Sequence, residues 1–78
     1  MVNLNPTYLS ERFKQVTGMS PLQFVKRERI ARAQQLVRET SRSLIEIALE
    51  VGYRSPSHFA RVFRRVVGVT PTEFRSTL

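Results

Sequence analysis

Pro6–Phe24 reads PTYLSERFKQVTGMSPLQF, and fifty residues later Pro56–Phe74 reads PSHFARVFRRVVGVTPTEF. Six positions are identical: Pro6/Pro56, Phe13/Phe63, Val16/Val66, Gly18/Gly68, Pro21/Pro71 and Phe24/Phe74. Most others are mild exchanges, among them Thr7/Ser57, Leu9/Phe59, Lys14/Arg64, Ser20/Thr70 and Gln23/Glu73. A repeat this long in a chain of 78 residues means that one structural unit was built twice. The unit reads as an amphipathic helix with basic residues, a glycine stop, and the capped start of another helix. Two basic helices at fixed spacing suit a molecule that touches one partner in two places.

The helix starts are marked by chemistry. All four prolines follow a good N-cap residue: Asn5-Pro6, Ser20-Pro21, Ser55-Pro56 and Thr70-Pro71. An Asn, Ser or Thr side chain accepts a bond from an orphan first-turn amide, and proline at the next position sacrifices no needed N–H. Ser43-Leu44-Ile45-Glu46 and Thr70-Pro71-Thr72-Glu73 have the capping-box pattern. Gly18, Gly52 and Gly68 stand where helix ends call for a left-handed residue. The expected helices are therefore 6–16, 21–39, 44–51, 56–67 and 71–76. Apolar residues recur at helical spacing: Leu9, Phe13 and Val16; Leu22, Val25, Ile30, Ala33 and Val37; Leu44, Ile47, Ala48 and Val51; Phe59, Phe63 and Val66. No strand-like alternation competes, so the fold class is all-α.

Between the third and fourth helices lies Ala48-Leu49-Glu50-Val51-Gly52-Tyr53-Arg54-Ser55-Pro56. A small residue one turn before a glycine, then a short polar turn and a newly capped helix, is what a helix-turn-helix needs. From this segment alone, an ordinary helical hairpin in a core fits equally well.

Composition narrows the partner. A chain this short buries around 60% of its unfolded surface, enough for one modest core. There is no cysteine, hence no disulfide or thiolate metal site, which fits a reducing cytoplasm. No apolar run approaches the roughly 18 residues of a membrane span, and Met1–Asn5 lacks a signal-peptide pattern. Thirteen Lys and Arg against six Asp and Glu give a net charge of +7, which favours a polyanion.

With these features in place, the chain resembles the DNA-binding domain of AraC/XylS-type bacterial transcription regulators. The resemblance rests on YLSERFKQVTGMSP (8–21), FVKRERIARAQQLV (24–37), SLIEIALEVGY (43–53) and SHFARVFRRVVGVTPTEFR (57–75). It implies two homeodomain-like helix-turn-helix units joined by a long linker helix, each unit sending its second helix into a major groove on one face of DNA. A linker over 21–39 would be ~28 Å long at 1.5 Å per residue. Successive major grooves on one face are about 34 Å apart, so the two lengths are compatible. The resemblance further implies a partner helix before each recognition helix. For the first unit that helix would precede Asn3, where only Met1 and Val2 stand. The expected division is one DNA-binding domain over 1–78: 1–18 the remnant of an incomplete first unit, 19–39 the linker, and 40–78 a complete second unit.

The same resemblance places base contacts at Ser57 and Arg61 in the second unit, and at Thr7, Ser10 and Glu11 in the first. Arginine can bond guanine O6 and N7 together, and a glutamate can accept from cytosine N4. Glu11 departs from the family, which often carries a basic residue there. Arg64 and Arg65, opposite the apolar stripe, suit phosphates, as does Lys14. His58, the only histidine, is expected to bind a phosphate or to cap the groove contact; adjacent helical residues do not face one another, so a nucleophile–base pair with Ser57 is not implied. Arg42 and Ser43 are phosphate candidates because helix N-termini attract anions. Lys26, Arg27, Arg29, Arg32 and Arg38 on the linker read as a solvated face, with Arg29 reaching a neighbouring helix for structural reasons.

The leading reading is sequence-specific binding of double-stranded DNA within a transcription regulator, whose further partner would be RNA polymerase. The alternatives are a protein-interaction or self-associating fragment, using the apolar face of the incomplete first unit, and a basic amphipathic binder of membrane surfaces. A membrane binder needs one dominant cationic helix and gives no reason for a repeat. No cofactor or metal is expected, and an enzyme is the least supported class, since no nucleophile–base pair or carboxylate dyad can be found.

Overall fold

The computed structural model describes residues 6–78, and for 6–10 the helical backbone alone. Five helices follow in order: α1 Pro6–Thr17, α2 Pro21–Glu39, α3 Leu44–Glu50, α4 Pro56–Val67 and α5 Pro71–Ser76. Asn5, the expected cap of α1, lies outside the described residues.

The starts of the other four helices form as their chemistry dictates. The Ser43 hydroxyl accepts from the Glu46 N–H at 3.1 Å, and Glu46 Oε1 accepts in return from the Ser43 N–H at 3.1 Å. Thr70 and Glu73 close the same reciprocal box, at 3.1 and 2.9 Å. A third box, not anticipated from the sequence, joins Ser20 and Gln23. Glutamine serves as well as glutamate at this position, and that is the signal which could have revealed it. The Ser55 hydroxyl accepts from the His58 N–H at 3.2 Å and starts α4.

Two boundaries differ by one residue from expectation. α1 runs on to Thr17, whose hydroxyl bonds back to the Phe13 carbonyl at 2.8 Å. α3 stops at Glu50, because Val51 leaves helical geometry at φ −90°, ψ 7° to enter the turn. Gly52 then takes φ +101°, a conformation that few L side chains tolerate, and redirects the chain toward α4.

Packing divides the molecule. The second half of α2 supplies Ile30, Ala33, Leu36 and Val37, α3 supplies Ile47, Ala48 and Val51, and α4 supplies Phe59 and Phe63. Tyr53 from the turn completes this core. Ala48 is only 1% exposed, as a small residue at a close helix crossing should be. Each large side chain buried here stabilises the fold by roughly 1.5–3 kcal/mol. The apolar spacing of α2 suggests one continuous buried stripe, but Leu22 is 64% and Val25 40% exposed, and burial begins at Ile30. The molecule is consequently elongated, 50 × 21 × 21 Å, with its core toward one end.

The repeat is kept in local geometry. Phe13 meets Phe24 edge-on at 5.2 Å, and their counterparts Phe63 and Phe74 meet edge-on at 5.5 Å. In each copy this aromatic pair bridges the glycine turn. Burial is not shared: Phe63 is wholly buried while Phe13 is half-buried, and Val16 is 75% exposed.

Candidate nucleic-acid interface

α4 owes its orientation to its apolar face. Tyr53, Phe59 and Phe63 form a chain of rings with centroids 5.6 and 5.7 Å apart, which pins the helix against α2 and α3. At 3.6 residues per turn, Ser57, Arg61 and Arg64 must then point away from that face. All three are exposed, as are the flanking His58 and Arg65. His58 also presents its ring to Tyr53 edge-on at 5.4 Å, so it steadies the start of the helix. Five of the residues singled out from sequence thus share one exposed side of one helix.

The electrostatics of this side are one-signed. The only ion pair among the described residues joins Arg42 to Glu50 at 2.9 Å, away from α4. Arg61 and Arg65 therefore carry no carboxylate partner among those residues. The carboxyl of Glu73 sits below its ordinary value, first through hydrogen bonding to the backbone and side chain of Thr70, and further through the nearby charge of Arg64. Glu46 is lowered likewise by the backbone and side chain of Ser43, with Arg42 assisting.

The remaining candidates are dispersed. Arg42 and Ser43 sit at the start of α3, where the Arg42 guanidinium is engaged with Glu50 and Ser43 with the capping box. Glu11 and Lys14 are exposed on α1. The side chains of Thr7 and Ser10 lie outside the described residues. Arg29, expected to bond to a neighbouring helix, instead rests its guanidinium over the ring of Tyr53 in the turn between α3 and α4, with no hydrogen bond among the described residues.

A family profile described as a helix-turn-helix domain matches residues 1–77. The crystal structure of a transcriptional regulator from Chromobacterium violaceum, described as containing an AraC-type DNA-binding domain, superposes with a TM-score of 0.85 at 35% identity. That match covers 91% of this chain and 63% of the other. The chain belongs to the AraC/XylS family.

Within the AraC/XylS family, the chain is 37% identical over 73 residues to the HTH-type transcriptional regulator MtrA of Neisseria gonorrhoeae. The match covers 94% of this chain but 24% of MtrA, so the chain spans about a quarter of that curated relative. It also resembles the DNA-binding domain of AdpA, a global transcriptional factor solved in complex with a target DNA. There the TM-score is 0.89 and the identity 33%, covering 94% of this chain and 66% of the other. For an AraC/XylS domain the sequence reading missed two features of the α4 surroundings. Tyr53, read only as part of a turn, is a core residue at 5% exposure. Lys26, read as solvated, is half-buried beside α4.

Proposed function

We propose that this chain is a sequence-specific binding module for double-stranded DNA within a bacterial transcription regulator, and that α4 is its principal reading helix. The observation that carries this reading is the exposed, one-signed side of α4, held outward by a fully buried aromatic stripe. An α-helix about 10–12 Å across fits a major groove about 12 Å wide. Ser57 and Arg61, one turn apart, would meet base edges, while Arg64, Arg65 and His58 would meet phosphates. The AdpA domain, solved on a target DNA, supports the same partner here. α1 repeats the local architecture of α4, and the length of α2, ~28 Å, supports a second insertion about one helical turn along the DNA. In this division 1–18 and 40–78 are the two reading units and 19–39 the spacer, with Glu11 and Lys14 as the α1 contacts among the described side chains.

Selection from a random duplex library, followed by mobility shifts at rising salt beside liposome sedimentation, tests the proposal. Enrichment of a defined site with strongly salt-dependent binding supports it. Equal binding to every duplex, or a preference for anionic liposomes, would sink it.

A second reading is favoured by one observation: Val16, Leu22, Phe24 and Val25 are all exposed within residues 16–25. Val66, the α4 counterpart of Val16, is half-buried against the core, so a second copy of this chain is a fitting cover for the exposed apolar residues on either side of the α1–α2 turn. Sedimentation equilibrium tests it, and a monomer at every concentration refutes it.

A further inference from the structure

Lys26 on α2 and His58, Arg61 and Arg65 on α4 line the walls of one cleft of about 280 Å³, whose apolar floor is Val62 and Val66. An adjoining cleft of about 400 Å³ continues past Lys26 and Arg65 toward Arg27. Among the described residues, no acidic side chain lines either cleft. Arg61 and Arg65 lie four residues apart on one helix, a spacing at which like charges repel. Lys26 adds a third cation from the opposite wall, and an apolar floor reduces the screening that water would provide. Such a cluster is mildly unfavourable in the free protein and is relieved by a bound anion, with Lys26 and Arg65 facing the anion and Arg61 at its rim beside the bases.

The shape of DNA says which anion belongs there. A helix that nearly fills the major groove leaves a phosphodiester strand along each flank. His58, Arg61 and Arg65 form the α4 flank that faces α2, so the strand on that side runs into the cleft. We propose that Lys26 closes on this strand from the linker helix, so that α2 and α4 grip one stretch of backbone between them. This inference rests on α4 being the reading helix. Lys26 is then a positioning residue: it fixes how deeply and at what angle α4 enters, and it carries no base information. The linker is thereby part of the binding surface rather than a spacer alone.

The test uses the full 78-residue chain and a mixed-sequence duplex, with affinity measured across a salt series. Lys26→Ala should weaken binding to every duplex by a common factor and lower the slope of log affinity against log salt by about 0.9, the mark of one lost phosphate contact. Lys26→Arg should restore the slope. Arg38→Ala, about 18 Å further along α2, should leave it unchanged. A wild-type slope and affinity for Lys26→Ala would overturn the grip, as would weaker binding with an unaltered slope. Arg61→Ala is measured alongside on the selected site: if it changes nothing there, the assignment of α4 to the groove has failed; if it weakens binding there while Lys26→Ala changes neither affinity nor slope, only the grip has failed.

Discussion

The guanidinium carbon of Arg29 stands 5.8 Å from the centroid of the Tyr53 ring, and so ties the middle of α2 to the turn between α3 and α4. The contact has a steric consequence next door. A Cβ at Gly52 would lie 3.3 Å from that same carbon, whereas a Cβ at Gly68 would meet nothing within 4 Å.

Gly52 and Gly68 have nearly the same φ, +101° and +100°, so alanine at either pays the same left-handed penalty, about 1 kcal/mol or more. Gly52→Ala must additionally displace Arg29, and should be the costlier of the two. In an Arg29→Ala background that excess should vanish. Thermal melts of the four variants form the cycle, and equal costs in the parent background would mean that Arg29 yields freely.

Tyr53→Phe should leave stability unchanged or raise it by up to ~1 kcal/mol. The ring is buried, but its hydroxyl is buried without a hydrogen-bond partner among the described residues. An unmade bond costs desolvation and returns nothing. Denaturant unfolding checks this, and a loss above about 1 kcal/mol would show that the hydroxyl has a partner in solution.

On a selected DNA site, Arg61→Ala should cost ~1–3 kcal/mol and relax preference at one base pair. Arg64→Ala should weaken all sequences alike and lower the salt slope by about 0.9. Competition binding against single-base variants of the site separates the two signatures.

The carboxyls of Glu46 and Glu73 are held below their ordinary value of 4.5 by their capping boxes. A lowered folded value means stability that is complete above about pH 4.5 and is lost as pH falls through the lowered value. Helical content should therefore decline on acidification below that point. Glu46→Gln and Glu73→Gln keep an acceptor oxygen in the box and should flatten the decline. Circular dichroism at descending pH measures it; the Ser20–Gln23 box supplies an internal reference with no carboxylate to titrate.

How far these features could be read from the residues depends on how local their causes are. Caps, boxes and glycine stops act over four residues, and the five helices emerged within one residue of expectation. The exposure of the five α4 candidates was legible too, because a buried stripe of known phase fixes what lies opposite. The exposure of Leu22 and Val25 was not, since periodicity defines a face without saying what covers it. Tyr53 was missed because its burial depends on Phe59 and Arg29, residues brought to it only by folding. Lys26 was missed for a related reason: within a charge run, only the crossing of α2 over α4 distinguishes one cation from its neighbours.

From Glu11 through Arg29 no side chain is buried, and Ile30 is the first buried one among the described residues. Local opening free energies follow buried contacts, so they should rise steeply at Ile30. On that ground the α3–α4 head should resist strain and the α1 arm should yield more readily. A site whose second groove lies slightly out of phase can then be met by straining the arm while the head stays intact. Spacing errors on DNA would be penalised gradually, and base errors under α4 abruptly.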